Sequence, residues 1–211
     1  MAFRSRHPSA SFSRPGAQPA PAASERELVE RIRGGDEAAF EAVFAAHYAA
    51  LCDFTRSLVG ATDGAADVAE DVVQAVFVGV WSRRETWSPT DGGGVRAYLF
   101  AACRNRALDH LRHRQVVARK APQIAAAARD EAAERQERPG VALEAEELHA
   151  HLSRAVHALP ERRRLVVILR WQHQLTNGEI ARVLGISEKG VETQFGRALA
   201  ALRKQFARFT S

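Results

Sequence analysis

The sequence predicts an all-α fold of two small helical domains joined by a flexible linker, with a helix-turn-helix in the C-terminal domain. Apolar residues recur three or four positions apart over long stretches, and no stretch shows the strict apolar–polar alternation of a half-buried strand. Residues 116–143 lack such a stripe and contain Pro122, Pro139 and Gly140, which predicts the linker. The 211-residue chain therefore divides into a tail, a first body, the linker and a second body. The corresponding ranges are 1–23, 24–115, 116–143 and 144–211.

Helix caps and periodicity predict the first body. Ser24 and Glu27 can form a capping box that opens a first helix, and a pair of glycines follows it. A second helix begins at Asp36 and ends at Gly60. A third helix runs to about Trp81 and repeats valine every four residues on one face. Its other face carries Asp67, Asp71, Gln74 and Val78.

An irregular, glycine-rich loop follows the third helix and contains a tryptophan, Trp87, that looks exposed. An exposed tryptophan in a polar loop is typical of a binding surface. The next helix runs from Val95 to about Arg114, and arginines project from its outer positions. Four of them lie in its last three turns, so we expect a basic ridge beside the loop.

The stretch from Thr176 to Arg203 is typical of a helix-turn-helix. Thr176 and Glu179 can form a capping box, Gly185 lies where the turn needs a left-handed backbone, and Ser187 can cap the second helix. The outer, N-terminal face of that helix carries Glu188, Lys189, Glu192, Thr193 and Gln194. Such a face contacts base edges in this motif, which predicts DNA binding. The alternative is an ordinary pair of antiparallel helices joined by a tight turn.

The charge distribution supports different partners for the two bodies. Residues 144–211 carry 11 Arg and Lys against 7 Asp and Glu, as expected of a part that neutralises phosphates. Residues 24–115 carry 14 acidic against 11 basic side chains, which favours a protein partner there.

Several classes of protein are not supported by the sequence. We expect no metal and no cofactor, because the eight histidines show no ligand spacing and no phosphate-binding loop is present. We expect no enzymatic activity, since no nucleophile and base are arranged together, and no apolar run reaches the length of a membrane span. Cys52 and Cys103 lie at apolar positions, as reduced thiols of a cytoplasmic protein do. Residues 1–23 resemble a transit peptide in composition but lack its apolar stripe, so a disordered tail is predicted.

Three segments in order resemble the extracytoplasmic-function sigma factors of bacterial RNA polymerase. They are AEDVVQAVFVGVW (69–81), RAYLFAACRNRALDHLRHR (96–114) and ALPERRRLVVILR (158–170), the last running into the helix-turn-helix. The resemblance implies a transcription initiation factor that binds core polymerase, directs it to specific promoters and helps to open the DNA. Many members of the family also have an anti-sigma partner.

The resemblance assigns site residues in the first body. The helix matching residues 67–81 docks on the polymerase in the family, which implies core-polymerase binding by Asp67, Asp71, Gln74 and Phe77. The following loop and helix capture single-stranded DNA of the minus-ten element, which implies contacts from Trp87, Ser88, Thr90, Arg96, Asn105, Asp109 and Arg112. Unstacked bases need apolar pockets and hydrogen-bond donors, while cations hold the backbone. The alternatives are that Trp87 is a core lid and that Asn105 and Asp109 only bond each other across a helix turn.

The resemblance also implies that the second body binds duplex DNA of the minus-thirty-five element. The residues that would contact its bases are Glu188, Lys189, Glu192, Thr193 and Gln194. Phosphate contacts would come from Arg162, Arg163, Arg164, Arg182, Lys189 and Arg197. The family usually has Lys or Arg where this chain has Glu192 and Gln194, which would favour cytosine N4 and adenine. Ala75 also replaces the Glu that usually follows the Gln of the core-binding helix.

Two other functions remain compatible with the residues themselves. A dimeric helix-turn-helix regulator would bind duplex DNA without polymerase, and a helical adaptor would only sequester protein partners.

Overall fold

A computed structural model describes residues 24–60, 64–89, 93–120 and 151–207, in which short turns and loops join helices and no strand occurs. This confirms the predicted all-α class. The helices of the first body are α1 (Glu25–Arg33), α2 (Glu37–Val59), α3 (Ala65–Ser82) and α4 (Gly94–Lys120), with a 3-10 turn at Arg84–Thr86. The helices of the second are α5 (151–157), α6 (Glu161–Val167), α7 (Asn177–Leu184) and α8 (Glu188–Ala207).

The caps at the start of the chain confirm the predicted helix boundaries. The Ser24 N–H donates to the Glu27 carboxylate at 2.7 Å, and Ser24 Oγ accepts from the Glu27 N–H at 3.3 Å. Asp36 caps α2 by accepting from the Ala39 N–H at 3.0 Å. Gly60 ends α2 with a φ of 91°, which only glycine adopts without strain. Thr62 and Asp63, polar residues suited to cap α3, lie outside the described residues.

Helix α4 is longer than the sequence suggested. It continues to Lys120 and so includes the first five residues assigned to the linker. No glycine or proline interrupts the chain between Gly94 and Pro122, so the backbone has no local reason to leave the helix earlier. The rest of the predicted linker lies outside the described residues.

A π-helical turn, Ile168–Gln172, extends α6 toward the helix-turn-helix. The His173 N–H donates to the Ile168 carbonyl at 3.2 Å and closes this turn. Ile168 and Leu169 are buried within it, so the turn is part of the core of the second body. A small apolar cluster holds α8 on this body through Leu159, Val167, Ala198 and Leu202.

The two bodies share one continuous apolar core. Phe54 and Phe100 are fully buried between α2 and α4. Leu169 and Ile180 of the second body belong to the same cluster of buried residues, and α7 packs on α4. The helix-turn-helix is therefore seated directly on the first body.

Candidate nucleic-acid interface

The helix-turn-helix has the caps and the turn predicted from the sequence. The Thr176 N–H donates to the Glu179 carboxylate at 2.7 Å, and Thr176 Oγ1 accepts from the Glu179 N–H at 3.3 Å. Gly185 is left-handed with a φ of 66°, which ends α7 and turns the chain. Ser187 Oγ accepts from the Gly190 N–H at 3.1 Å at the start of α8. These contacts confirm the predicted capping box, turn glycine and second cap.

The N-terminal half of α8 presents polar side chains to solvent. Glu188, Lys189, Glu192 and Thr193 are exposed, and Gln194 is half-buried. Thr193 Oγ1 donates its proton to the Lys189 carbonyl at 2.8 Å, so this donor is used within the helix. The carboxylate of Glu188 lies beside the first turn of α7. Lys189 and Glu192 therefore project from the outer face of α8.

The arginines predicted to contact phosphates lie in different environments. Arg162 and Arg197 are exposed, and Arg163 is half-buried. Arg164 donates to the His157 carbonyl at 3.3 Å and so connects α6 to the end of α5. Carbonyls at a helix end lack a partner within the helix, so Arg164 stabilises the end of α5.

Arg182 lies at the contact between the two bodies. Its guanidinium reaches the backbone of Gly93, just before α4, so closely that a Cβ at Gly93 would overlap it. Two residues later, the Val95 N–H donates to the carboxylate of Glu25, which satisfies one free donor at the start of α4.

The outer face of α3 carries most of the side chains predicted to bind polymerase. Asp67, Asp71 and Gln74 are exposed on one face, and Val78 continues it with 64% of its surface exposed. Phe77 does not belong to this face: it is buried against Phe44, with ring centroids 4.8 Å apart. Its ring lies on the core side of α3, so its position does not support the predicted place in the docking surface.

Trp87 is also buried, although the sequence suggested an exposed side chain. Only 4% of its surface is accessible, and its ring meets that of Tyr98 edge to face with centroids 5.9 Å apart. The expectation of an exposed Trp87 is thus wrong, and its environment is that of the alternative, a core lid. Ser88, the next residue, is exposed, and Thr90 lies outside the described residues.

The remaining residues assigned to the minus-ten element lie along α4. Arg96, in its first turn, is half-buried and donates to the His173 carbonyl of the second body. Asn105, Asp109 and Arg112 are exposed farther along. Asp109 accepts from Arg112 at 2.9 Å, between two side chains that are each more than 70% exposed, and such a pair contributes little stability.

Asp71 and Asp109 line the same groove, between α3 and α4, with a volume of about 630 Å³. The fold thus brings one residue assigned to polymerase and one assigned to DNA onto adjoining surfaces. His110 and His113 line the same groove from α4.

His173 is a buried residue that sequence reasoning did not single out. Its ring lies 5.1 Å from Phe100 and 5.9 Å from Phe54, centroid to centroid, and only 5% of its surface is exposed. Burial lowers the pKa of His173 to about 4, so the ring is neutral at pH 7. No local pattern marks it, because its partners lie more than 70 residues away in sequence.

The described residues contain no group of three or more His, Cys, Asp or Glu side chains suited to a metal ion. No described helix is both long enough and apolar enough to cross a membrane. Cys103 is buried and its burial raises the pKa of the thiol to about 12, while Cys52 is half-buried; both are free thiols.

Comparison with protein-family models finds two matches in this chain. Residues 43–116 match Sigma-70 region 2, and residues 149–202 match Sigma-70 region 4. A search of curated proteins found no match.

Solved structures with a similar fold include two protein complexes. One, a structure of CnrH in complex with the cytosolic domain of CnrY, is 26% identical over 87% of this chain and 97% of that chain, with a TM-score of 0.59. The other, the sigma factor RpoE with the anti-sigma factor NepR from Bartonella quintana, is 20% identical. It covers 80% of this chain and 96% of that chain, with a TM-score of 0.57.

The two family matches lie in the order region 2, then region 4, on the bodies that carry the α3 face and the helix-turn-helix. Sigma factors of this kind recognise DNA and bind the polymerase, and the polymerase catalyses RNA synthesis. The chain therefore belongs to the sigma-70 family as a two-region member of the extracytoplasmic-function type, which binds core RNA polymerase and directs it to promoters.

Proposed function

We propose that this sigma factor uses three separate surfaces, one for core polymerase and two for promoter DNA. The outer face of α3 binds core polymerase, the loop before α4 together with the outer face of α4 holds the minus-ten strand, and α8 reads the minus-thirty-five element. The domain ranges are 24–115 for region 2 and 144–211 for region 4. The observation that carries this proposal is the exposed N-terminal half of α8, which follows a capped α7 and a left-handed Gly185 in the chain.

The α3 face is suited to a protein partner. Asp67 and Asp71 supply negative charge, and Gln74 supplies donors and acceptors. Val78 adds an apolar contact, which is 64% exposed in the free chain. An apolar residue rimmed by polar ones is typical of a binding surface.

The minus-ten surface is proposed to consist of exposed and half-buried polar groups only. Ser88 belongs to the loop, while Arg96, Asn105, Asp109 and Arg112 follow along α4. Arginines hold a single-stranded backbone and stack on bases, and the amide and carboxylate can meet base edges. Trp87 supports this surface from below through its contact with Tyr98.

At the minus-thirty-five element, we propose that Glu192 and Gln194 select bases. A carboxylate accepts from cytosine N4, and an amide pairs with adenine through its donor and acceptor. Glu188 and Thr193 flank them, with Lys189, Arg162, Arg163 and Arg197 on phosphates. Arg164 donates to a backbone carbonyl and Arg182 lies against the backbone of Gly93 in this structure, so a DNA contact from either requires its side chain to move.

Two further features complete the proposal. Both similar structures are complexes, of CnrH with the cytosolic domain of CnrY and of RpoE with the anti-sigma factor NepR, which supports an anti-sigma partner for this chain. We place the protein in the cytoplasm, where bacterial core polymerase acts.

The deciding experiment is transcription in vitro with bacterial core polymerase and a library of promoter DNA, with start sites as the readout. We expect transcripts that depend on this chain and share sequence at both elements. Duplex binding without polymerase-dependent transcripts would contradict the proposal and favour a dimeric regulator. Binding to protein alone would favour an adaptor.

The base-reading part is tested in the same library with Glu192→Gln. We expect a change of preference at one minus-thirty-five position with transcription retained, since each good base contact contributes about 1 to 3 kcal/mol of discrimination. Glu41→Gln, an exposed carboxylate on α2, is the matched control and should leave the preference unchanged. An unchanged preference in Glu192→Gln would remove Glu192 from the base-reading set.

A further inference from the structure

The π-helical turn that joins α6 to the helix-turn-helix carries two side chains that reach α8. The turn spans Ile168–Gln172, and π-helical turns are rare and frequent at functional sites. The Arg170 guanidinium lies over the Phe195 ring of α8, 4.8 Å from its centroid. The Trp171 ring meets the same ring edge to face, with centroids 6.1 Å apart. Two consecutive residues of the turn therefore contact Phe195.

Local contacts hold the exit of this turn. The side-chain amide of Gln174 donates to the Trp171 carbonyl at 2.8 Å, and the Leu175 N–H donates to the Leu169 carbonyl at 3.0 Å. Gln174 has a φ of 54°, a left-handed conformation that is uncommon for a residue other than glycine. Such a conformation persists only where the surroundings determine it, so the turn presents Arg170 and Trp171 in fixed directions.

The Arg170 side chain contacts both helices of the helix-turn-helix. Its Nη1 donates to Oδ1 of Asn177, the first residue of α7, while the face of the same guanidinium lies over Phe195 of α8. A guanidinium can do both at once because it is planar, with donors along its edge and a face that stacks on aromatic rings. One side chain thus connects the π-helical turn to α7 and to α8.

These contacts bear on the rotation of α8 about its own axis. Val191 and Ala198 are buried on its inner side, but apolar contacts have little directional preference. A hydrogen bond and a stacked guanidinium do depend on direction. Phe195 directly follows Gln194 and lies three positions, about one helical turn, after Glu192. Binding groups must be held within about 0.5 Å and about 10 to 20° of their working geometry, so a larger rotation of α8 moves Glu192 away from its base.

We propose that Arg170 is a positioning residue for recognition of the minus-thirty-five element. It acts through Phe195 and Asn177, fixes the rotation of α8 against α7, and so sets which bases Glu192 and Gln194 select. The identity of the base-reading residues rests on the proposed function, but the contacts of Arg170 with α7 and α8 do not.

The first test uses Arg170→Lys, which keeps the charge but has no planar group to stack on Phe195. Holoenzymes with the variant and with the parent are compared on a promoter library randomised over the minus-thirty-five element. The preference between the best and the next base should narrow by about fivefold or more, the lower end of what one good base contact contributes. The slope of log K against log salt should stay the same, because no phosphate contact is lost. Arg203→Lys, at an exposed position farther along α8, is the matched control and should keep the base preference of the parent.

Two results of this test would overturn the proposal. If Arg170 only stabilised the fold, Arg170→Lys would lower transcription from every promoter by the same factor and leave the base preference unchanged. If Arg170 itself held a phosphate, the salt slope would become shallower by about 0.9.

The route through Phe195 is tested with Phe195→Leu, which keeps an apolar side chain and removes the ring. This variant should narrow the base preference as Arg170→Lys does. The double variant should lose no more preference than either single variant, because both changes remove the same contact. Additive losses would show that Arg170 does not act through Phe195.

The orientation of α8 is measured without DNA, from residual dipolar couplings of the amides of α7 and α8 in the full chain. Arg170→Lys should change the orientation of α8 relative to α7 while the helical circular dichroism stays as in the parent. Equal couplings in the two chains would overturn the positioning role. Failure of the proposed function would appear separately, as absence of chain-dependent transcripts from the parent, and the couplings would then decide alone whether Arg170 orients α8.

Discussion

At the scale of single residues, two aromatic side chains assigned to binding surfaces are buried in the core. Phe77 and Trp87 were both assigned to binding surfaces, and both are buried, at 3% and 4% exposure. In each case the residue that follows in the sequence is exposed. Val78, one position after Phe77, is on the surface, as is Ser88 after Trp87, because each next residue in a chain points elsewhere.

Replacing Trp87 with Ala should reduce stability, because a large buried ring leaves a cavity. We expect the free energy of unfolding to fall by about 3 to 5 kcal/mol, measured by urea denaturation followed by circular dichroism. Trp87→Phe should be much less destabilised. An unchanged urea midpoint in Trp87→Ala, with defective open complexes, would instead assign the indole to DNA.

His173 should make stability depend on pH. Its pKa is about 4 in the folded chain against 6.5 for an ordinary histidine, so between these values the unfolded chain binds a proton that the folded chain does not. The free energy of unfolding is therefore highest above pH 6.5. It falls by about 3 kcal/mol in total as the pH decreases toward 4.

The measurement compares urea midpoints of the parent and His173→Gln at a pH of about 7.5 and a pH of about 5, on either side of the ordinary histidine pKa. Burial also lowers the pKa of His47, which contributes in the same direction and is present in both chains. The parent should lose more stability on acidification than His173→Gln. Equal losses would show that His173 is solvated.

At the scale of helices, local signals were sufficient to place the caps and the turn of the helix-turn-helix. Capping boxes at Ser24 and Thr176 and the left-handed Gly185 all occur as predicted, because each uses groups within three or four positions of one another. The end of α4 was placed too early, since no local breaker precedes Pro122 and charged residues after Arg114 are acceptable in an exposed helix.

Two glycines in the second body should respond to alanine in opposite directions. Gly185→Ala forces an L residue into a left-handed conformation and should cost about 1 kcal/mol, although a Cβ there meets nothing within 4 Å. Gly196→Ala, within α8 and equally free of neighbours, should gain up to about 1 kcal/mol. Thermal unfolding of the two variants measures this, and a gain in Gly185→Ala would contradict the turn geometry.

At the scale of the whole molecule, charge is unevenly distributed, and the arginines on α6 should bind phosphates. Changing Arg162 and Arg163 to Ala should weaken promoter binding by the holoenzyme. The slope of log K against log salt should become shallower by up to about 0.9 for each phosphate that is no longer neutralised. Arg26→Ala, an exposed arginine on α1, is the control. An unaltered slope in the double variant would show that these arginines only cover the second body.

The amino-acid sequence was enough to establish helices, caps, the order of the two bodies and the family, because periodicity, capping and motif order depend on neighbours in the chain. It was also enough to place the exposed faces of α3 and α8. It could not show that Phe77 and Trp87 are buried or that His173 lies between Phe54 and Phe100. Those contacts join residues far apart in sequence, and they follow from how whole helices pack, which no local pattern encodes.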